Sequence, residues 1–403
     1  MADRRVKSIN RRADDKGQRR IDEPIPLARP SIDDSDVAAA ERALRSGWLV
    51  IGAENHGFEE RLCEITGRAH AVAVASGSTG LELALWALIE RDRAAGQPVP
   101  EGAEVIVPAA GFPAAANAVR RLGLRVVAVD IEPDTWNMGG GAVAGALSAR
   151  TYAVISLDAF GAVAECADLL ALRARHGFHL IDDAACSLGG FASDGVAGGG
   201  YGDLAVLSFH PRKLITTGEG GAVLCDDAEL AAYLRQLRNQ GQARRGHFVR
   251  LGTNARLSEM AAAIGVSQLQ RLPGFLSERR LLVRGYHERL AHLRAAGQLT
   301  WQLWPEGARP AHQTFAVLLA KNLPDGRDRR ELQTFMRSRD IETGVASFAL
   351  SRVPTFADVP GIGDAAFPVA EALHERGLAL PLYAGMRSSE LDRVTEALAE
   401  ALS

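Results

Sequence analysis

The chain is expected to fold as an α/β protein, with a large, mostly parallel sheet covered by helices on both faces and a smaller α+β domain at its C-terminal end. Three observations lead there. Between Ala71 and Cys225 short apolar runs alternate with segments of helical period, the pattern of strands and crossover helices in one sheet. The length of 403 residues is enough for two or three domains with cores of their own. After a helix closed by Gly297, a strand at Thr314 opens a second, shorter set of elements.

Residues 1–22 are rich in Arg and Lys, with Asp interspersed and few large apolar side chains, so they bury too little to offset their ordering entropy and are expected to form a flexible basic arm. Asp3, Asp14 and Asp15 speak against an organelle-targeting leader. The segment Ser35-Asp36-Val37 starts a helix that Gly47 closes, with Val37, Ala40 and Leu44 on one face. Strands are expected at 71–75, 104–107, 125–129, 152–156, 178–181, 204–208 and 221–225, and helices at 79–94, 113–122 and 163–176. Residues 227–241 read as helical, Arg244-Arg245 as a polar loop, and 240–250 as a lid over the site. Two helices, 256–272 and 275–296, then follow. The large domain is expected to span 23–272, and a linking helix with the small domain 273–403. The latter holds a strand at 314–319, a helix at 328–339 and a last helix whose Leu391, Val394, Leu398 and Leu402 form a buried stripe.

A formal net charge of −3 argues against nucleic acid as a partner. The four cysteines, Cys63, Cys166, Cys186 and Cys225, lie far apart without a CxxC pair, which indicates neither a zinc site nor a disulfide framework and fits a reducing cytoplasm. No apolar run reaches the ~18 residues of a membrane span, so no membrane association is expected.

The chemistry concentrates in the stretch from Ser208 to Gly221. It joins the apolar runs 204–207 and 222–225, so a hydroxyl and Lys213 share a glycine-closed turn between buried strands. Burial drives an ammonium toward the neutral amine that condenses with carbonyls, which makes Lys213 a candidate Schiff-base lysine. Upstream, 178–181 runs into Asp182-Asp183-Ala184-Ala185, with acids at a strand's carboxyl end where such sheets bind ligands. An Asp there pairs with a protonated pyridine nitrogen. The strand 71–75 enters Ser76-Gly77-Ser78-Thr79-Gly80 and then a helix, which makes an anion cup of free N–H groups and helix dipole. Phe112 follows another strand and offers an aromatic plate. Lysine, carboxylate, cup and plate together describe a pyridoxal 5′-phosphate site.

From about Pro26 onward the chain also resembles the DegT/StrS-type aminotransferases, fold-type I enzymes that use this cofactor on keto sugars attached to nucleotides and on keto cyclitols. The segments that carry the resemblance are Leu44-Arg45-Ser46-Gly47-Trp48, the Ser76 turn, Asp182-Asp183-Ala184-Ala185, the Lys213 stretch, Gly252-Thr253-Asn254-Ala255-Arg256, Gln268-Leu269, Phe367-Pro368-Val369-Ala370-Glu371 and Leu380-Pro381-Leu382-Tyr383. The resemblance implies a seven-stranded sheet and a ping-pong reaction through pyridoxamine phosphate, with L-glutamate or L-glutamine as amino donor. It places such enzymes in secondary-metabolite, antibiotic or cell-surface sugar biosynthesis. Lys213 would also move the proton between substrate and cofactor carbons. Asp183 would be the pyridinium partner, with Asp182 the alternative and a helix N-cap the other reading of either acid. Ser78, Thr79 and Ser208 would hold the phosphate, Gly77 letting the backbone approach, and capping of the following helix is compatible with this. Phe112 would stack on the ring unless it is a core residue. Asn254 would reach the phosphate of a neighbouring subunit, giving a homodimer with shared sites, unless it merely satisfies its own turn.

Lysine at position 213 favours transamination, since related sugar dehydratases carry His there. Elimination, dehydration and decarboxylation stay open, because some positions depart from the family pattern, and a silent PLP-binding regulator is a further alternative, against which the intact Lys-Asp-Ser set speaks. Cys186 stands beside the ring where Gln or His is usual, Gly111 replaces a Thr, Asp158 replaces a His, and Ala346-Ser347-Phe348-Ala349-Leu350 replaces a His-Tyr-Pro segment.

Overall fold

The computed structural model describes residues 23–323 and 326–403, so the arm expected at 1–22 lies outside the described residues. The first half alternates as expected: α1 (Asp34–Ser46), α2 (Ala53–Thr66), β1 (His70–Val74), α3 (Gly77–Ala94), β2 (Glu104–Pro108), α4 (Ala114–Arg121), β3 (Arg125–Val129), α5 (Gly140–Ala146), β4 (Thr151–Leu157), α6 (Ala167–His176), β5 (His179–Asp183), β6 (Leu204–Ser208) and β7 (Gly221–Cys225). The seven strands form one sheet in the order β1-β7-β6-β5-β4-β2-β3. Only β7 runs antiparallel to its neighbours, because it returns from β6 by the Lys213 turn rather than by a helix. Alternate residues bury both faces: Val72, Val74, Val206 and Val223 pack with Leu81, Leu85 and Leu88 of α3, whereas Ala71, Ala73, Ala205 and Leu207 pack with Phe58 and Leu62 of α2.

Several expectations are corrected. The helix expected from 163 begins at Ala167, since Ala164 turns its N–H to the Asp158 carboxylate at 2.8 Å. The helix expected over 227–241 is α7 (Ala228–Leu237), because Gln240 and Gly241 adopt left-handed φ of 60° and 74°. The polar loop around Arg244-Arg245 is a hairpin, β8 (Gln242–Arg244) with β9 (His247–Phe248). The two helices expected over 256–296 are one, α8 (Glu259–Ala295), running through Pro273. Leu269, Leu272 and Phe275 hold its first half on the large sheet's core while Leu282, Tyr286, Leu290 and Leu293 hold its second half on another, and this packing outweighs the ~3 kcal/mol disfavour of an internal proline.

That other core belongs to an antiparallel sheet of β10 (Leu299–Trp301), β11 (Phe315–Leu319), β12 (Gly344–Val345) and β13 (Gly377–Leu380), in the order β10-β11-β13-β12. With it pack α9 (Arg329–Ser338) and α11 (Ser388–Leu402), while α10 (Pro368–Arg376) sets Ala370 and Leu373 into a smaller cluster with Ala109, Ala110 and Trp136. The stripe Leu391, Val394, Leu398 and Leu402 is buried as expected. In α1 the apolar stripe faces outward: Val37 and Leu44 are 59% and 54% exposed, and the buried face is Asp36, Ala39 and Ala43. Asp36 is held there by Gln268 Nε2 at 2.8 Å and by Arg271.

Candidate active site

β5 ends on the two acids, and strand alternation sends their side chains to opposite faces of the sheet. Asp182 points into the protein with no exposure, and one carboxylate oxygen accepts from Gly199 N–H at 3.0 Å. Its other oxygen has no hydrogen-bond partner among the described residues, and burial raises its pKa well above the carboxylate range. Asp183 points the other way, into a recess that it lines together with Gly111, Phe112, Ser156 and Leu157. Burial pushes it up to about 6, while the charge of Lys213 pulls it down. The helix N-cap reading fails for both acids, because a turn follows β5; Ala185 N–H reaches Asp183 Oδ1 at 3.3 Å.

Lys213 is carried by a tightly pinned turn between β6 and β7. Phe209 N–H donates to Gly220 C=O at 2.9 Å, Thr216 Oγ1 to Phe209 C=O at 3.0 Å, and Thr217 Oγ1 to Glu219 C=O at 2.7 Å. Phe209 itself is fully buried, edge-on to Phe58 at 5.0 Å between centroids. These constraints deliver the half-buried amine to Cys186, whose Sγ accepts from Lys213 Nζ at 3.1 Å. The carboxylate comes from the end of β5 and the amine from the turn that follows the neighbouring strand β6.

The anion cup forms where α3 begins. Ser76 caps the helix, accepting from Thr79 N–H at 3.1 Å and exchanging a 2.9 Å hydrogen bond with the Thr79 hydroxyl. Ser76 is the cap residue of the cup, and a hydroxyl three residues before Thr79 at a helix start is the capping signal that marks it. A Cβ on Gly77 would stand 2.8 Å from the Ser208 Cβ, and one on Gly221 would stand 2.6 Å from Gly77 N. Glycine at both places thus lets the helix start close against β6 and β7. Ser78 is exposed at the rim; with Thr79 N–H on the Ser76 hydroxyl and Gly80 N–H on Ser76 C=O at 2.9 Å, the N–H groups of Gly77 and Ser78 are the ones a helix start leaves for an anion.

Phe112 is 73% exposed, which excludes the core reading and leaves an open ring face over the recess. Its position is fixed by Gly111, whose N–H donates to Phe348 C=O at 2.9 Å, and by an edge contact with the Phe348 ring at 6.5 Å. Phe348, which lies in the segment where the resemblance expects a His-Tyr-Pro substrate stretch, thus stands beside Phe112. Asp158 is fully buried beneath, accepting from Ala164 N–H at 2.8 Å and from Ser187 Oγ at 2.5 Å, and burial pushes it up to about 7. Asn254 is exposed in a bridge with Asn239, and the structure brings none of Lys213, Asp183 or Ser208 into hydrogen-bond contact with it.

A lysine amine near a carboxylate, an open aromatic ring and a helix-start cup fit a flat, phosphorylated pyridine aldehyde. Residues 30–399 match the model of the DegT/DnrJ/EryC1/StrS aminotransferase family. The GDP-perosamine synthase of Caulobacter vibrioides is 31% identical over 381 residues, covering 94% of this chain and 98% of that protein. Among solved structures, DesI in the presence of its TDP-sugar product is 33% identical with a TM-score of 0.82, covering 94% of this chain and 93% of that one. DesV of S. venezuelae is 30% identical with a TM-score of 0.83, covering 94% and 99%. The chain belongs to the DegT/DnrJ/EryC1/StrS aminotransferase family, and pyridoxal 5′-phosphate is its cofactor.

Proposed function

We propose that this aminotransferase moves an amino group from L-glutamate or L-glutamine to a keto sugar, with a nucleotide-linked sugar favoured over a free keto cyclitol. The observation that carries the reading is Asp183 lining a recess beside the exposed Phe112, with Lys213 near enough for its charge to lower that acid's pKa. The cofactor, when bound, supplies an electron sink for the substrate's carbanion. Asp183 would hold the proton of the ring nitrogen, Lys213 would supply the amine for the aldehyde and carry the substrate proton, and Gly77, Ser78, Thr79 and Ser208 would hold the phosphate. Cys186 stands beside Lys213. GDP- and TDP-linked sugars in the names of the relatives support a nucleotide-sugar acceptor.

A homodimer completes the reading. Val37, Leu44, Trp48, Leu251 and Phe248 are each more than half exposed, more apolar surface than a lone chain ordinarily leaves to water. Asn254, near Leu251, would then reach the partner's phosphate cup. We place the division between large and small units within α8 near Pro273, and the enzyme in the cytoplasm, which suits a nucleotide-linked substrate; no described helix is long and apolar enough to cross a membrane. The test is the visible spectrum of the purified protein with its cofactor, before and after L-glutamine or L-glutamate. The bound-cofactor band should disappear with a donor and return with a nucleotide-linked keto sugar. In Lys213→Ala turnover should fall by at least about 10³-fold. A band indifferent to both donors would sink the donor assignment, and near-normal turnover by Lys213→Ala would sink the site.

A further inference from the structure

Cys186 stands against the one amine on which the chemistry depends. Its Sγ lies 3.1 Å from Lys213 Nζ, and both side chains are half-buried, so a small oxidant reaches them while bulk solvent does not surround them. The other thiols differ. Cys166 and Cys225 are buried and pushed up to about 11, and burial raises Cys63 as well. Among the described residues none of these three hydrogen-bonds to a lysine, and the chain has only Lys7, Lys16, Lys213 and Lys321.

We propose that Cys186 and Lys213 form a reversible covalent sulfur–nitrogen bond under peroxide, a modification that removes the catalytic amine whenever it is free of the cofactor. The steps balance with hydrogen peroxide as oxidant. The sulfur attacks one peroxide oxygen, the O–O bond breaks, and a sulfenic acid and one water result. The neutral Lys213 amine then attacks the sulfenyl sulfur, forming S–N while S–O breaks, and the hydroxide leaves with the amine's proton as a second water. Sulfur loses two electrons and the peroxide gains them. Two equivalents of a thiol reverse the bond, regenerating amine and thiol with formation of a disulfide. Lys213 is available when the cofactor carries the amino group and unavailable when the lysine holds it. The inference rests there on the amino-transfer reading.

The test treats three samples with peroxide: resting holoenzyme, holoenzyme preincubated with L-glutamate, and protein stripped of cofactor. Thiols are then capped and tryptic peptides weighed. The expected product joins peptide 176–212, which contains Cys186, to a peptide beginning at Lys213 and uncut after it, lighter than their sum by two hydrogens. It should appear in the donor-treated and stripped samples, be scarce in the resting one, vanish with dithiothreitol and be absent from Cys186→Ser. Stripped protein should also lose most of its visible band on adding the cofactor after peroxide, and regain it after reduction; Cys186→Ser should keep its own untreated level. A bond in the stripped sample but not the donor-treated one upholds the modification and overturns the amino-transfer reading. Peroxide leaving Lys213 unlinked in both, with Cys186 unchanged or carried to sulfinic acid, overturns the proposal.

Discussion

At Asp183 two forces oppose one another: burial favours the protonated acid and the nearby Lys213 favours the carboxylate. The balance, about 6, leaves the group ionised at neutral pH, as an acid that must hold another group's proton has to be. The ionised form is present at high pH and is lost as pH falls, so activity should show an acid limb at or below about pH 6. Asp183→Asn should lose at least about 10²-fold in kcat and also lose that limb; a pH–rate profile of both enzymes decides it. Asp158, on the buried side, has the opposite consequence for stability. Its folded pKa of about 7 exceeds its ordinary 3.8, so the folded protein keeps a proton that the unfolded chain releases, and stability declines as pH rises between those values. An Asn in its place still accepts from Ala164 N–H and donates to Ser187 Oγ. Thermal melts of Asp158→Asn should therefore gain more Tm at about pH 8 than at about pH 5, and an equal gain at both would contradict the buried-acid account.

Among the elements, α8 shows packing overriding local propensity. Pro273 lacks the N–H that would bond Leu269 C=O, and its ring is exposed, so it contributes little packing in return. Pro273→Ala should restore that bond and stabilise the protein by about 1–3 kcal/mol, read from denaturant or thermal unfolding. No gain would mean that the proline's restriction of the unfolded chain offsets its helical cost. The turn between β6 and β7 is the converse case, a loop made rigid by its own hydroxyls. The side-chain bonds of Thr216 and Thr217 to backbone carbonyls hold the Lys213 stem where strand pairing alone would not.

For the whole molecule, the proposed homodimer would set the outward stripe of α1 and the exposed Leu251 against a second copy of the chain. A stable dimer buries on the order of 1,600 Å² in total, and a charge at its centre is not tolerated. Leu44→Glu combined with Leu251→Glu should convert a dimeric mass to a monomeric one by light scattering while leaving the circular dichroism spectrum unchanged. An unaltered dimer would place the interface elsewhere.

The sequence by itself determined the alternating strands and helices and marked Lys213, Asp183 and the Ser76–Gly80 turn as candidate chemistry. Those follow from short-range patterns: apolar runs, a helix start, acids at a strand end, a glycine-closed turn. Tertiary structure alone decided which face of α1 is buried, that α8 runs through Pro273, that Cys186 touches Lys213, and that Phe348 fixes Phe112. Each depends on contacts between residues far apart in the chain. An amphipathic stripe records that a face is apolar but not what will cover it. A proline records a local penalty but not the packing that exceeds it, and a cysteine records a thiol but not the amine that the fold brings beside it.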